Sequence, residues 1–265
     1  YPCSHANYNK LDKYTVVRSS FYDFMDVKLS PNDLTNSELF YFISLYQAGR
    51  ITSLMIDEGK LYKGNERWTY KGNSNDARIK IILKYTSDSL LREMLIARQL
   101  YYTLDRREIK DFEKHYALFE KTVTQPFLRE PLINKYVETR KHFEQPILEE
   151  NTLLRSAENT PADELISKIM QEHKGKIIYL DIWATWCSSC RIEMPYSKKL
   201  MNTLDSDKVD FVYLCLDSEE EKWKALVSEL KIEGSHYLAT SDQSRFIYQM
   251  FEMAGVPQYV LIDTK

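Results

Sequence analysis

Residues 177–190 read IIYLDIWATWCSSC, and this stretch decides how the second half of the chain folds. An apolar run of strand length ends at a Cys-x-x-Cys motif, and residues 191–194 continue in a helix-like pattern. A strand that delivers two cysteines onto the first turn of a helix is typical of redox proteins. The sequence therefore predicts a redox-active dithiol formed by Cys187 and Cys190.

The two cysteines should differ in role. At a helix start the unpaired backbone N–H groups and the helix dipole favour negative charge, so Cys187 should ionise more readily than a free cysteine. Cys190 lies three residues on, where the helical turn brings its sulfur close enough to attack a mixed disulfide at Cys187. We therefore expect Cys187 to be the nucleophile and Cys190 to be the resolving thiol.

Asp181 interrupts the apolar run, in a strand whose composition indicates burial on both faces. A carboxylate there is costly unless it is paired or protonated, and desolvation should raise its pKa. Such a group suits proton exchange with Cys190 while the disulfide opens and closes. The alternative is an aspartate at a strand edge that bonds to neighbouring backbone, and we favour the catalytic role.

The pattern of residues 181–190, D-x-W-A-x-W-C-x-x-C, resembles the active-site segment of the thioredoxin superfamily, where a buried aspartate precedes the first cysteine by six residues. Two further motifs, C-x-x-E-x-P at residues 190–195 and G-V-P at residues 255–257, narrow the resemblance to the TlpA-like and ResA-like thiol-disulfide oxidoreductases of the bacterial cell envelope. The resemblance covers residues 151–265 and implies a thioredoxin-like α/β domain there.

The resemblance also implies roles for residues around the dithiol. Pro257 would be a cis-proline that faces the two sulfurs. Pro257, Trp186 and Val256 would contact the substrate, with Val256 offering backbone groups. Glu193 would be the acidic residue that assists proton movement. One departure is Ser189, where members of the family often carry proline. Because the residues between the cysteines tune the reduction potential, the direction of electron flow stays open.

The function that the resemblance implies is thiol-disulfide exchange, with the reduction of disulfides in exported proteins as the favoured direction. The expected partners are protein thiols and disulfides and an upstream dithiol reductant. Neither an organic cofactor nor a metal is expected beside the Cys187–Cys190 disulfide. Residence in the cell envelope, in the periplasm, follows from the resemblance alone. The alternatives are a disulfide isomerase, which would usually need a dimer that frames two active sites, and a binding module in which the helical half carries the function.

Length and composition are consistent with two globular domains in the 265 residues. Hydrophobic residues make up 43% of the chain, which is enough for packed cores, and the net charge of -3 gives no indication of nucleic-acid binding. No run approaches the ~20 apolar residues that span a bilayer, and no basic amphipathic stretch indicates a membrane surface. The sequence shows no charged-then-apolar leader, and it leaves the oligomeric state open.

The first half, residues 1–150, is predicted to be a mainly helical domain of four to six antiparallel helices, and its candidate role is recognition or dimerisation. Its first long helix should begin at Asn36 or Ser37 and stop at Gly49. Pro126 and Pro131 should divide the last two helical segments from each other.

The second half, residues 151–265, should alternate strands and helices, which predicts a mostly parallel sheet with helices on both faces. The expected strands are 152–155, 176–183, 209–216, a short one near Tyr237 and 258–263; the expected helices cover 160–175, 188–204, 219–231 and 242–253. The chain stops where a last antiparallel strand and a closing helix are expected, so we expect the domain to be truncated at its C-terminus.

Other reactive residues receive simpler interpretations. Cys215, inside a predicted strand, should be a buried and inert thiol, and Cys3 an unneeded one or a partner for another chain. A zinc site at the dithiol would need two more ligands, and no second Cys-x-x-Cys or histidine pair supplies them. A peroxiredoxin would not place a resolving cysteine so close to the first. The remaining histidines are interpreted as surface or core residues: His115, His142, His173 and His236.

Overall fold

A computed structural model describes residues 19–36, 38–63 and 68–264 of the chain. These residues belong to two compact units, one up to Tyr136 and one from Val137. The division therefore falls inside a helix, Pro126–Glu144, whereas the sequence suggested a boundary at residue 150. Cys3 lies outside the described residues.

The first unit is mainly helical and includes one small antiparallel hairpin. Polar side chains start two of its helices, because Asn73 and Asp88 each accept a hydrogen bond from a backbone N–H of the first turn. Its helices and strands are α1 (Glu38–Tyr46), α2 (Thr52–Asp57), β1 (Leu61–Lys63), β2 (Trp68–Tyr70), α3 (Ser74–Tyr85), α4 (Ser89–Asp105), α5 (Ile109–Lys114), α6 (Tyr116–Thr122) and the first part of α7 (Pro126–Glu144).

The expected stop at Gly49 is wrong. The chain continues from α1 through a wider helical turn, Gln47–Ile51, directly into α2. Gly49 does not end the helix but allows the ring of Tyr22 to pack closely against it. A Cβ atom at this position would lie 2.6 Å from a ring carbon of Tyr22. A glycine signals a helix end only where the backbone turns left-handed, and here it makes room for a ring.

The expected break at Pro131 is also wrong, since α7 runs through it from Pro126 to Glu144. A proline in a helix removes one backbone donor and crowds the carbonyl four residues earlier. In α7 that carbonyl belongs to Phe127, near the helix start, where the side chain is exposed. The loss is therefore confined to one hydrogen bond at a solvated end of the helix.

The second unit is built on a five-stranded mixed sheet in the order β3-β6-β5-β4-β7. All neighbouring pairs are parallel except β4 and β7, which are antiparallel. The α/β alternation expected from the sequence is thus confirmed. The elements are β3 (Thr152–Arg155), α8 (Leu165–Glu172), β4 (Ile177–Trp183), α9 (Ser188–Met201), β5 (Val209–Cys215), α10 (Glu220–Leu230), β6 (Gly234–Leu238), α11 (Ser241–Met250) and β7 (Gln258–Ile262).

Apolar cores cover the two faces of this sheet. Ile178, Leu180 and Ile182 of β4 point to the core shared with α8 and α11. Because successive strand residues alternate between faces, Asp181 and Trp183 point to the other core, which contains the buried residues of α9 and α10. The alternation of β4 therefore directs the Asp181 carboxylate toward the helix that carries the two cysteines.

Within the described residues, no helix combines the length and the apolar character that crossing a membrane requires.

Candidate active site

Cys187 and Cys190 form a disulfide at the start of α9. Cys187 occupies the N-cap position, and its Sγ accepts a hydrogen bond of 3.1 Å from the backbone N–H of Cys190. The hydroxyl of Ser189 lies 3.4 Å from the same sulfur. These donors and the helix dipole would stabilise a thiolate at Cys187 once the disulfide is reduced. Of the two side chains, Cys187 is 4% exposed and Cys190 is 1% exposed.

The loop before the dithiol is held by Ser218, a residue that the sequence did not single out. The Ser218 hydroxyl accepts the backbone N–H of Thr185 at 3.0 Å and donates to the carbonyl of Leu216 at 2.7 Å. Arg191, in the first turn of α9, donates to the carbonyl of Thr185 at 2.9 Å. The loop is therefore bonded both to the end of β5 and to α9. Asp217 and Ser218 form a polar pair shortly after strand β5, and such residues favour turns. This pair was the sequence signal that could have pointed to Ser218.

Trp186 lies immediately before Cys187, and its side chain is 43% exposed. The indole N–H donates to the backbone carbonyl of Asp217 at 3.2 Å, which orients the ring beside the dithiol. Asp217 has a left-handed backbone with φ of 45°. An exposed, oriented indole offers a flat apolar surface to a polypeptide.

The segment before β7 lies beside the first sulfur. The carbonyl oxygen of Val256 is 3.6 Å from Cys187 Sγ, and the Val256–Pro257 peptide bond is cis. Both side chains are half-buried. The chain thus brings residues 187 and 256 together although 69 positions separate them.

Asp181 is the buried acid of this unit, with 1% of its surface exposed. Burial is the main cause that raises its pKa to about 7, the negative charge of Glu193 adds to the rise, and a hydrogen bond from Ser197 opposes it. The Ser197 hydroxyl donates to Oδ2 at 3.4 Å, while Oδ1 has no hydrogen-bond partner among the described residues. A carboxyl group with a pKa near neutrality can both accept and release a proton.

Glu193 is exposed on α9 and accepts a hydrogen bond of 2.7 Å from the hydroxyl of Tyr259. Tyr259 is directly opposite Asp181 in the antiparallel pairing of β4 and β7. The surface acid and the buried acid are thus linked through one strand residue. The sequence analysis did not single out Tyr259. Its position opposite Asp181 depends on the register between β4 and β7, and the local sequence does not fix that register.

Cys215 is fully buried, and burial raises the pKa of its thiol to about 12. Such a thiol stays protonated and inert at neutral pH.

His236 is also buried. Its ring stacks on the ring of Tyr213 with 4.7 Å between the centroids, and burial lowers its pKa to about 4. His236 is therefore a neutral core residue near neutral pH.

One group of side chains in the first unit has metal-ligand spacing, with ligand atoms within 4.8 Å of one another: Asp76, Asp111 and His115. The Asp76 carboxylate already binds the Lys114 ammonium at 2.6 Å, and Asn75 donates to Asp111. His115 Nε2 is 2.9 Å from Asp76. Donors of the chain itself therefore satisfy these carboxylates, and we assign no ion to them.

Comparison with known proteins points to the same part of the chain. A family model described as thioredoxin-like matches residues 175–265. The thiol-disulfide oxidoreductase ResA of Bacillus thuringiensis is 28% identical over 94 residues, which are 36% of this chain and 53% of that protein. The thioredoxin-like protein YneN of Bacillus subtilis is 42% identical over 55 residues, 21% of this chain and 32% of YneN. The chain thus spans about half the length or less of these relatives.

Two solved structures are also similar. One is the thioredoxin domain of a thiol-disulfide oxidoreductase from Bacteroides vulgatus, with 27% identity and a TM-score of 0.33 over 36% of this chain and 68% of that one. The other is a thiol:disulfide interchange protein from Bacteroides sp., with 28% identity and a TM-score of 0.34 over 36% and 62% of the respective chains.

The family expected from the motifs around the dithiol is therefore confirmed for the second unit. The match of residues 175–265 covers β4, the two cysteines of α9, Glu193 and the Val256–Pro257 segment. Residues 175–265 are therefore thioredoxin-like, and this part of the chain is similar to the ResA thiol-disulfide oxidoreductases.

Proposed function

We propose that the protein is a thiol-disulfide oxidoreductase that reduces disulfide bonds of exported proteins. The observation that carries this proposal is the Cys187–Cys190 disulfide at the start of α9, beside the Val256 carbonyl and on the helix that packs over Asp181. Relatives of the second unit bear the name thiol-disulfide oxidoreductase. Because the chain spans only about half of their length, its activity is an inference from the site.

The reaction begins with the reduced dithiol. The Cys187 thiolate, stabilised by the N–H of Cys190 and the helix dipole, attacks one sulfur of the substrate disulfide. The substrate S–S bond breaks, its second sulfur leaves with the electron pair, and a mixed disulfide joins Cys187 to the substrate. Cys187 is the better placed sulfur for this attack because it occupies the N-cap of α9, where a backbone N–H points at its Sγ.

Resolution regenerates the disulfide. The thiol of Cys190 loses its proton to the Asp181 carboxylate, and the resulting thiolate attacks Cys187 Sγ. The Cys187–Cys190 bond forms, the bond to the substrate breaks, and the substrate leaves as its second thiolate. A pKa of about 7 for Asp181 fits this proton transfer, since the carboxylate is partly ionised at neutral pH and close in acidity to a thiol.

Substrate contact is proposed for Trp186, Val256 and Pro257. The exposed indole supplies apolar area, and the Val256 carbonyl can accept a backbone N–H of an extended substrate segment next to Cys187. The electrons must come from an upstream dithiol protein, because the Cys187–Cys190 couple stores only one pair. We place this exchange in the cell envelope, and we propose that no organic cofactor or metal takes part.

The direction of electron flow is tested by the reduction potential of the full chain. Equilibration with defined thiol and disulfide buffers should give a value below about -200 mV, in the range of reductases instead of the strong oxidants near about -120 mV. The protein should also reduce a model protein disulfide with a dithiol as electron source. Loss of this activity in Cys187→Ser and its retention in Cys215→Ala are expected. A potential near that of the oxidants would overturn the proposed direction.

Disulfide isomerisation is a second candidate, because the first unit exposes several aromatic side chains that suit self-association: Phe21, Phe24, Phe40 and Tyr41. An isomerase would need a dimer that frames two dithiols. Light scattering of the full chain over a range of concentrations tests this. A dimer that Phe24→Ser together with Tyr41→Ser dissociates would favour isomerisation, and a monomer at all concentrations would count against it.

A further inference from the structure

The hydroxyl of Ser197 lies against the buried acid, and no motif in the sequence points to this residue. Ser197 Oγ donates to Oδ2 of Asp181 at 3.4 Å. Both residues are buried, with 4% and 1% of their surfaces exposed. In a site closed to water, a donor to a carboxylate stabilises the ionised form more than a donor at the surface does.

Helix α9 carries both Ser197 and the resolving thiol. The buried residues of α9 are Cys190, Met194 and Ser197, spaced four and three positions apart, so they form one stripe on the helix face. Asp181 is on the side of β4 that faces the core to which this stripe belongs. Because a helix is stiff, a bond from Ser197 to Asp181 fixes where the carboxylate stands relative to Cys190.

Among the described residues, the other titratable groups that interact with the Asp181 charge carry no positive charge. They are Tyr179 of β4, whose hydroxyl also hydrogen-bonds to Ser197, Tyr213 of β5, Tyr259 of β7 and Glu193 of α9. Burial raises the pKa of each of the three tyrosines, with the charge of Asp181 contributing, so they are neutral at neutral pH. Glu193 opposes ionisation of Asp181 through its negative charge.

We propose that Ser197 is a positioning residue of the dithiol reaction, whose hydroxyl holds the Asp181 carboxylate ionised and oriented to take the Cys190 proton. The inference rests on the proposed function. In the balanced step, the proton passes from Cys190 Sγ to Asp181, the thiolate bonds to Cys187 Sγ, and the substrate sulfur leaves with the electrons of the broken bond. Ser197 itself exchanges no electrons and stays bonded to the carboxyl group.

The test follows resolution in the full chain. An aromatic disulfide releases one coloured thiol when Cys187 attacks and a second when Cys190 closes the ring, so the second phase measures resolution. Its rate should rise with pH as Asp181 ionises. In Ser197→Ala this rise should move to higher pH by about half to one pH unit, because a donor to the carboxylate is lost. Ser197→Thr keeps the hydroxyl and should restore the original profile.

Ser228→Ala is the matched control. Ser228 is a buried serine of α10 whose hydroxyl bonds to His142 and accepts the backbone N–H of Ile147, with no hydrogen bond to Asp181 among the described residues. The Ser228→Ala variant should show the same pH dependence of the resolution rate as the unsubstituted protein. An unmoved profile in Ser197→Ala, or an equal shift in Ser228→Ala, overturns the inference.

Asp181→Asn separates this inference from the proposed function. If Asp181→Asn leaves the pH profile unchanged, the carboxylate does not take the proton and the proposed mechanism itself fails. If Asp181→Asn abolishes the rise while Ser197→Ala does not move it, only the role of Ser197 fails. Adding Ser197→Ala to Asp181→Asn should change neither the profile nor the rate by more than about twofold, since Ser197 acts through Asp181.

The unsubstituted protein provides a second measurement in case Ser197→Ala does not fold. A hydroxyl that donates to a buried carboxylate exchanges slowly with water, so NMR should detect the Ser197 hydroxyl proton. Its chemical shift should move with the titration of the Asp181 carboxyl carbon. A Ser197 hydroxyl that exchanges rapidly, or that does not respond to this titration, overturns the proposal.

Discussion

The hydroxyl of Tyr259 donates a hydrogen bond of 2.7 Å to the carboxylate of Glu193. This bond ties the exposed acid of α9 to the strand residue that pairs with Asp181. Glu193 is held where its charge acts on the buried acid, and this charge contributes to the raised pKa of Asp181. The two carboxyl groups are therefore coupled, one at the surface and one in the core.

Glu193→Gln should lower the pKa of Asp181, because it removes a negative charge that disfavours ionisation. The rise of the resolution rate with pH should then move to lower pH by on the order of half a pH unit, since burial remains the larger cause. Tyr259→Phe keeps the charge of Glu193 but removes the hydrogen bond that holds it in place. The pH at which the resolution rate rises should therefore shift less in Tyr259→Phe than in Glu193→Gln. The second-thiol release assay measures both variants. A shift to higher pH in Glu193→Gln would contradict the coupling.

Asp181→Asn should stabilise the folded protein at alkaline pH. The pKa of Asp181 is about 7 in the folded state, whereas an ordinary aspartate has a pKa of 3.8, so between these values the folded state binds more protons than the unfolded state. The free energy of unfolding therefore falls as pH rises from about 4 to above 7. Asparagine does not ionise and therefore causes no such fall. The free energy of unfolding of Asp181→Asn should exceed that of the unsubstituted protein by about 2–4 kcal/mol at pH 8.

Urea unfolding of the oxidised protein at several pH values measures this difference. Comparison between variants removes the opposite contribution of His236, whose lowered pKa acts equally in both proteins. Asp207→Asn, at an exposed aspartate, reports the effect of losing a surface carboxylate. A difference between Asp181→Asn and the unsubstituted protein that stays constant with pH would rule out the buried, protonated acid.

Ser218→Ala should loosen the loop that precedes the dithiol. The buried N–H of Thr185 would lose its acceptor, which should lower the free energy of unfolding by about 1–3 kcal/mol. The first-thiol release, which reports attack by Cys187, should slow several-fold. Ser206→Ala, at an exposed serine, is the control and should change neither quantity. Equal stability and an unchanged attack rate in both variants would show that the loop does not depend on Ser218.

The active-site segment could be predicted from the sequence because its signals are local. The apolar run, the Cys-x-x-Cys motif and the helix-like continuation are adjacent in the chain, and they fold as β4 and α9. The burial of Asp181 followed from its position inside that run. Ser197 and Tyr259 could not be found in this way, since their contacts depend on strand register and on helix packing across the sheet. Ser218 had only its turn-favouring context as a signal.

Gly49 shows the same limit in the first unit. Its sequence context indicates a helix end, while its role depends on Tyr22, which lies 27 positions earlier in the chain. Glycine is a common helix stop because it tolerates a left-handed backbone, but lack of a side chain also permits close approach. Local patterns do not distinguish these two uses.

Gly49→Ala should therefore destabilise the first unit, although the same change in an ordinary helix stabilises by about 0.5–1 kcal/mol. The new methyl group would meet the ring of Tyr22, and overpacking of this kind costs about 1–3 kcal/mol. Adding Tyr22→Leu should recover part of the loss by making room. Thermal unfolding followed by far-UV circular dichroism provides the comparison. A stabilised Gly49→Ala protein would mean that the ring does not pack there.

Trapping of a mixed disulfide is the most direct test of the assigned roles of the two sulfurs. The full-length Cys190→Ser variant, reduced and then mixed with a protein disulfide, should accumulate a covalent complex, because nothing resolves the bond. Mass spectrometry of the digested complex should place the cross-link on Cys187, and Cys187→Ser should form no such complex. A cross-link through Cys215, or no complex in Cys190→Ser at any pH at which the protein is folded, would contradict the account.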